Sequence, residues 1–129
     1  MAVARRILQV EDDEDILFIA RMVLADLGGY DLMQCASGPE ALEKAESFAP
    51  DVLLLDYMMP GMNGLSTLTA LRDIHNIAAV PAIFMTAKSL ELSPEDVTGL
   101  GVIGVITKPF DPVTLPDEIA RLLARAGHA

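Results

Sequence analysis

Five short blocks dominated by apolar residues lie along the chain: Arg6 to Val10, Tyr30 to Cys35, Val52 to Leu55, Val80 to Met85 and Val102 to Thr107. The central block, Val52-Leu-Leu-Leu55, is too short for a helix and suits a strand buried on both faces, as in a parallel sheet. Tyr30 to Cys35 alternates, which predicts a less buried strand. Between the blocks, apolar residues recur at helical spacing. Ile16, Ala20, Val23, Leu24 and Leu27 mark a first helix that Gly28-Gly29 ends. Ser37-Gly38-Pro39-Glu40 opens a second, with Ala41, Leu42, Ala45 and Phe48 inward and Pro50 closing it. A third covers Leu65 to about Asp73. Ser93-Pro94-Glu95-Asp96 starts a fourth of barely two turns, bracketed by Gly99 and Gly101. The last runs from Leu115 to about Ala126 with Leu115, Ile119, Leu122 and Leu123 inward. Because Pro116 removes a helical donor, its first turn is expected to be distorted, with Thr114 and Asp117 as a second capping pair.

Strands and helices that alternate in this way predict one α/β domain, a doubly wound five-stranded parallel sheet with five helices. Right-handed crossovers allow the strand order 2-1-3-4-5. Strands 1 and 3 are then neighbours at the switch point, where ligands bind outside the carboxyl ends of the strands. One residue conflicts with the pattern. Gln9 falls in a central strand whose two faces should be dry, so its amide, if buried, needs partners.

At 129 residues, with 52% hydrophobic content, the chain can bury one sizeable core. No Trp, two Tyr and four Phe make that core aliphatic. A net charge of −10 argues against nucleic acid or an anionic membrane surface as partner. The sole cysteine, Cys35, is expected to fill space in its strand and can form no internal disulfide, which suits a reducing, cytoplasmic setting. No signal peptide or membrane-spanning run is visible.

The polar residues at the strand ends carry the chemistry. The first strand runs into Glu11, Asp12, Asp13, Glu14 and Asp15. The last three suit a helix N-terminus; Glu11 and Asp12 fall on the rim beside Asp56, which ends the third strand. Taken alone, Asp56 reads more readily as a turn cap, Thr86 as a turn former and Lys108 as a solubilising cation. Taken together they make a site. Three converging carboxylates call for a cation, and hard oxygen donors without thiolate or imidazole suit Mg²⁺, or Mn²⁺. A carboxylate beside such a metal, with Lys108 and Thr86 opposite, can accept a phosphoryl group. His75 has no second His or Cys nearby and is not read as a ligand.

Four stretches carry a resemblance: Ile7-Leu-Gln-Val-Glu11-Asp12-Asp13, Asp56-Tyr-Met-Met-Pro60-Gly-Met-Asn-Gly64, Met85-Thr86-Ala87 and Lys108-Pro109-Phe110. Together they resemble the receiver domains of two-component response regulators, of the stand-alone, chemotaxis-regulator-like type, over essentially the whole chain. The resemblance implies a flavodoxin-like fold, a single receiver domain over residues 1–129 and no effector domain. It implies that Asp56 is the phosphoacceptor, that Asp12 binds Mg²⁺ directly and Glu11 through water, and that Met58 lends its backbone carbonyl. Thr86 and Lys108 would bind phosphoryl oxygens, the Lys108–Pro109 peptide would be cis, and Ala87 would be small to admit the donor. That donor would be a phosphohistidine on a sensor histidine kinase or a histidine phosphotransfer protein. The chain would then be a signalling phosphoacceptor rather than an enzyme, assisting its own phosphorylation and slow dephosphorylation. It would signal by contact with a downstream protein or pass the phosphoryl group on, as a monomer or weak dimer.

The chain departs from the resemblance at Val105, where receivers often carry the Tyr or Phe that reports activation. Readout is therefore expected in the loop between Thr86 and Ser93 and in the short helix after it. Three other readings share parts of the pattern. A flavodoxin-like electron carrier would need a phosphate-cradling loop where the five acids stand. An aspartyl phosphohydrolase would want a second Asp where Met58 stands. A receiver-shaped scaffold that is never phosphorylated would not need the five rim residues.

Overall fold

Side chains of the first strand divide between two layers, and the whole molecule follows that division. A computed structural model describes residues 6–87 and 99–127. Five parallel strands, β1 (Arg6–Val10), β2 (Asp31–Cys35), β3 (Val52–Asp56), β4 (Ala82–Ala87) and β5 (Val102–Lys108), form one sheet in the order β2-β1-β3-β4-β5. Ile7 faces one layer with Leu54, Ile83, Met85 and Ile106, covered by α1 (Glu14–Ala20) and α4 (Leu115–Arg125). Leu8 and Val10 face the other with Leu53, Leu55 and Phe84, covered by α2 (Gly38–Phe48) and α3 (Gly64–Leu71). β3 is buried along all five residues, as its unbroken apolar run predicts. Each fully buried Leu or Ile contributes roughly 1.5–3 kcal/mol. The expected fold class is therefore observed.

The helices differ in detail from expectation. Four α-helices are present among the described residues where five were expected, and the short helix predicted from Ser93 lies outside them. So does the loop from residue 88 that was expected to report activation.

α1 does not continue regularly to Leu27. From Arg21 to Asp26 it is a π-helix, which advances less per residue, so Leu27 turns outward and is 77% exposed while Ala20, Val23 and Leu24 stay buried. The cause is local. The Gln34 amide on β2 donates to the carbonyl of Leu17, which also receives the Arg21 N–H, and the ladder widens from that point.

α3 ends two residues early, at Leu71, and β4 starts two residues late, at Ala82. A 3₁₀ turn over His75–Ile77 follows α3, and the Val80 N–H donates to the Ile77 carbonyl to close the next turn instead of entering the sheet. β4 then continues through Thr86 to Ala87.

At α4 the expected Thr114–Asp117 capping pair is absent. Thr114 has a helical backbone (φ −93°, ψ −7°), from which its side chain makes no forward capping bond, and its hydroxyl donates to the Asp111 carbonyl instead. By contrast, Ser37 caps α2 through the Glu40 N–H as its sequence signal predicts. Cys35 is fully buried, and burial pushes its thiol up to about 11, which suits a space-filling role.

Candidate functional site

The carboxyl ends of β1, β3, β4 and β5 meet at one rim. β1 pairs directly with β3, Val10 opposite Leu55, so the residues that follow each strand fall side by side. Glu11 follows β1 and Asp56 ends β3; they are only 1% and 4% exposed. Asp12 stands beside them at the surface. One carboxylate oxygen from each of Glu11, Asp12 and Asp56 lies within 4.8 Å of the other two.

Lys108 ends β5 and reaches across β4's end to this group. Its Nζ donates to Glu11 Oε1 at 2.8 Å and lies 3.1 Å from Asp56 Oδ1. Burial of the ammonium works against its charge, but the bonds to Glu11 and Asp56 outweigh it and raise its pKa. At Glu11 the balance is reversed: burial dominates, and the carboxyl is pushed up to about 7 although the Lys108 bond pulls the other way.

The corner between β1 and α1 is tied at several points. Glu11 Oε2 accepts from the Asp13 N–H at 3.1 Å. Asp13 in turn caps α1, its Oδ1 accepting from Asp15 and Ile16. The Asp13–Asp15 run therefore serves partly as the helix start that sequence suggests. On the other side, Gly64 opens α3 hard against β3. A Cβ there would stand 2.5 Å from the Asp56 carbonyl oxygen and 2.8 Å from Tyr57 Cα.

The other candidates follow from the strand ends. Thr86 is 2% exposed and follows Met85, the β4 partner of Asp56. Ala87 is exposed and pairs with Lys108. Met58 lies two residues after Asp56 with its side chain 62% exposed, and the Lys108–Pro109 peptide is cis. Val105 pairs with Phe84. Next to Lys108, Ile16 and Ile19 of α1 face Pro109, Phe110 and Pro112 across an apolar groove of about 360 Å³.

Three strand ends, those of β1, β3 and β5, thus gather three acids and one lysine at one rim. Residues 7–120 match the response regulator receiver domain model. The chain belongs to the response regulator receiver family. Among relatives of this receiver domain, the alkaline phosphatase synthesis transcriptional regulatory protein PhoP of Bacillus subtilis is 33% identical over 122 residues, covering 95% of this chain and 50% of PhoP. The transcriptional regulatory protein CpxR of Escherichia coli K12 is 34% identical over 121 residues, covering 94% of this chain and 50% of CpxR. The chain thus spans about half the length of these relatives. Of solved structures, the chemotaxis protein CheY4 of Vibrio cholerae superposes with a TM-score of 0.81 at 33% identity, covering 95% of this chain and 100% of that one. A CheY-like receiver domain protein from Methanospirillum hungatei gives 0.79 at 27% identity, covering 96% and 98%.

Two supports of the receiver site have no role assigned to them by the sequence. Gly64 closes the Asp56–Gly64 stretch, but its close approach to β3 shows only in the structure. Gln34, which grips α1 from β2, was not singled out, although it stands opposite Gln9 in the β1–β2 register. Two glutamines facing each other on adjacent strands were the available signal.

Proposed function

We propose that Asp56 accepts a phosphoryl group from a phosphohistidine on a sensor histidine kinase or histidine phosphotransfer protein. The observation that carries this reading is the placement of the Lys108 ammonium between Glu11 and Asp56, with Asp12 within ligand distance of both. The donor set is all carboxylate oxygen, which fits Mg²⁺ or Mn²⁺. Asp12 would ligate directly, Glu11 through water, and Asp56 and the Met58 carbonyl would complete the protein's share. When bound, the cation supplies charge neutralisation for the transferring group.

The chain's own residues do the rest. An Asp56 carboxylate oxygen attacks phosphorus in line, the phosphorus–nitrogen bond breaks, and its electrons return to the imidazole of the donor. Lys108 draws off charge from the phosphoryl oxygens, Thr86 offers them a hydroxyl, and the small side chain of Ala87 leaves the approach open. The apolar groove between α1 and Pro109–Phe110 gives the donor protein a footing next to the acceptor. Output then passes to another protein by contact, or the phosphoryl group is handed on.

Incubation with a small acyl phosphate and Mg²⁺, read by intact mass, tests the reading. One phosphoryl adduct is expected, absent from Asp56→Asn and suppressed by excess chelator. An adduct that persists in both controls overturns it.

A further inference from the structure

A glutamine on the central strand weakens the fold unless it has another use. Gln9 is 1% exposed and its Oε1 accepts from Gln34 Nε2 at 2.8 Å, but its own Nε2 finds no partner among the described residues. A half-satisfied buried amide costs stability, and two apolar side chains of similar shape would cost less. Stability therefore does not explain the pair.

Its position does. Gln34 Nε2 also donates to the Leu17 carbonyl at 2.8 Å, and Gln34 Oε1 accepts from Arg21 Nε at 3.1 Å. One side chain on β2 thus holds β1 and α1 together. Both are the elements that flank Glu11. From Leu17 the bonds continue to the site: the Leu17 N–H donates to the Asp13 carbonyl, and the Asp13 N–H donates to Glu11 Oε2. Glu11 then accepts from Lys108, which lies against Asp56. Gln9 itself lies in β1, two residues before Glu11. The Glu11–Asp12 corner is braced from below through the strand and from the side through the first turn of α1.

We propose that Gln34, acting with Gln9 and Arg21, is a positioning residue that holds Glu11 and Asp12 in place for the divalent cation. The proposal rests on the phosphoacceptor reading and extends it to residues outside the receiver motifs. Gln34 touches neither metal nor phosphoryl group; it acts through the β1–α1 corner.

The test compares the parent with Gln9→Leu/Gln34→Met, which removes both amides while keeping volume, and with Arg21→Met, a surface change that leaves the core intact. Mg²⁺ affinity by calorimetry, the thermal midpoint without metal, and exchange of the Asp13 and Leu17 amides are measured. Small acyl phosphate uptake by the parent is followed alongside. In the double variant the midpoint should hold or rise, while Mg²⁺ binds about tenfold more weakly, as loss of an outer-shell support does elsewhere, and both amides exchange faster. Arg21→Met should weaken Mg²⁺ binding in the same direction and by less. Parent-like Mg²⁺ affinity in the folded double variant overturns the brace and leaves the phosphoacceptor reading standing. Should the double variant fail to fold, parent-like affinity in Arg21→Met has the same force. A parent that binds no Mg²⁺ and takes up no phosphoryl group overturns both.

Discussion

Glu11 places a titratable carboxyl almost completely out of water, and the molecule's response to pH follows from that. Its carboxyl is pushed from 4.5 up to about 7, by burial first, against the opposing bond from Lys108. A native pKa above the unfolded one means the folded state holds the proton more tightly. The stabilisation is thus complete below the unfolded value of 4.5 and is lost as pH rises to about 7. In metal-free protein the thermal midpoint should fall from pH 5 to pH 7.5, and Glu11→Gln should flatten that slope. Gly64 supports a second prediction. Its Cβ would collide with backbone rather than with a flexible side chain, so Gly64→Ala should cost about 1–3 kcal/mol in urea unfolding and slow phosphoryl uptake by shifting Asp56. Glu11, Asp12, Asp56, Thr86 and Lys108 were legible because each follows a strand whose pattern was plain. Gly64's role was not, because close backbone approach leaves no mark in a pattern of polar and apolar residues.

Among elements, β3 was the easiest to read and the π-helical end of α1 the hardest. β3 is buried on both faces, so its composition states its environment. The π turn is imposed by a side chain on another strand, Gln34, seventeen residues beyond Leu17, and helical periodicity in Arg21–Asp26 could not reveal it. The same limit applied at α4, where Thr114 fits a capping pattern but its backbone conformation forbids the bond. α3 is held at its far end by Arg72. The Arg72 guanidinium donates to the Leu100 carbonyl from Nε and Nη2 and to the Ile77 carbonyl from Nη1, joining α3 to the 3₁₀ turn and to the approach to β5. Arg72→Met would leave two carbonyls without this donor and should destabilise the fold by about 1–3 kcal/mol in urea unfolding. Phosphoryl uptake, measured well below the midpoint, should change little, because the clamp stands at the end of β5 opposite Lys108.

At the scale of the whole molecule, a formal charge of −10 makes the compact state repel itself, and the three rim acids concentrate that repulsion. A divalent cation that binds only the folded chain should raise the thermal midpoint, by about 2.7 kcal/mol of stability at a hundredfold excess over its dissociation constant. Asp12→Ala should remove most of this response while leaving the weaker effect of monovalent salt, and a calorimetric scan at matched ionic strength separates the two. No helix among the described residues is long and apolar enough to cross a membrane. The site draws on four of the five strands, and Lys108 meets Glu11 across 97 positions of sequence. That span has a consequence for timing. A chain still being made at the ribosome carries its acids early but lacks the lysine until β5 has emerged, so it cannot assemble the rim. On the phosphoacceptor reading proposed above, an unfinished protein would be deaf to its donor until synthesis had passed Lys108.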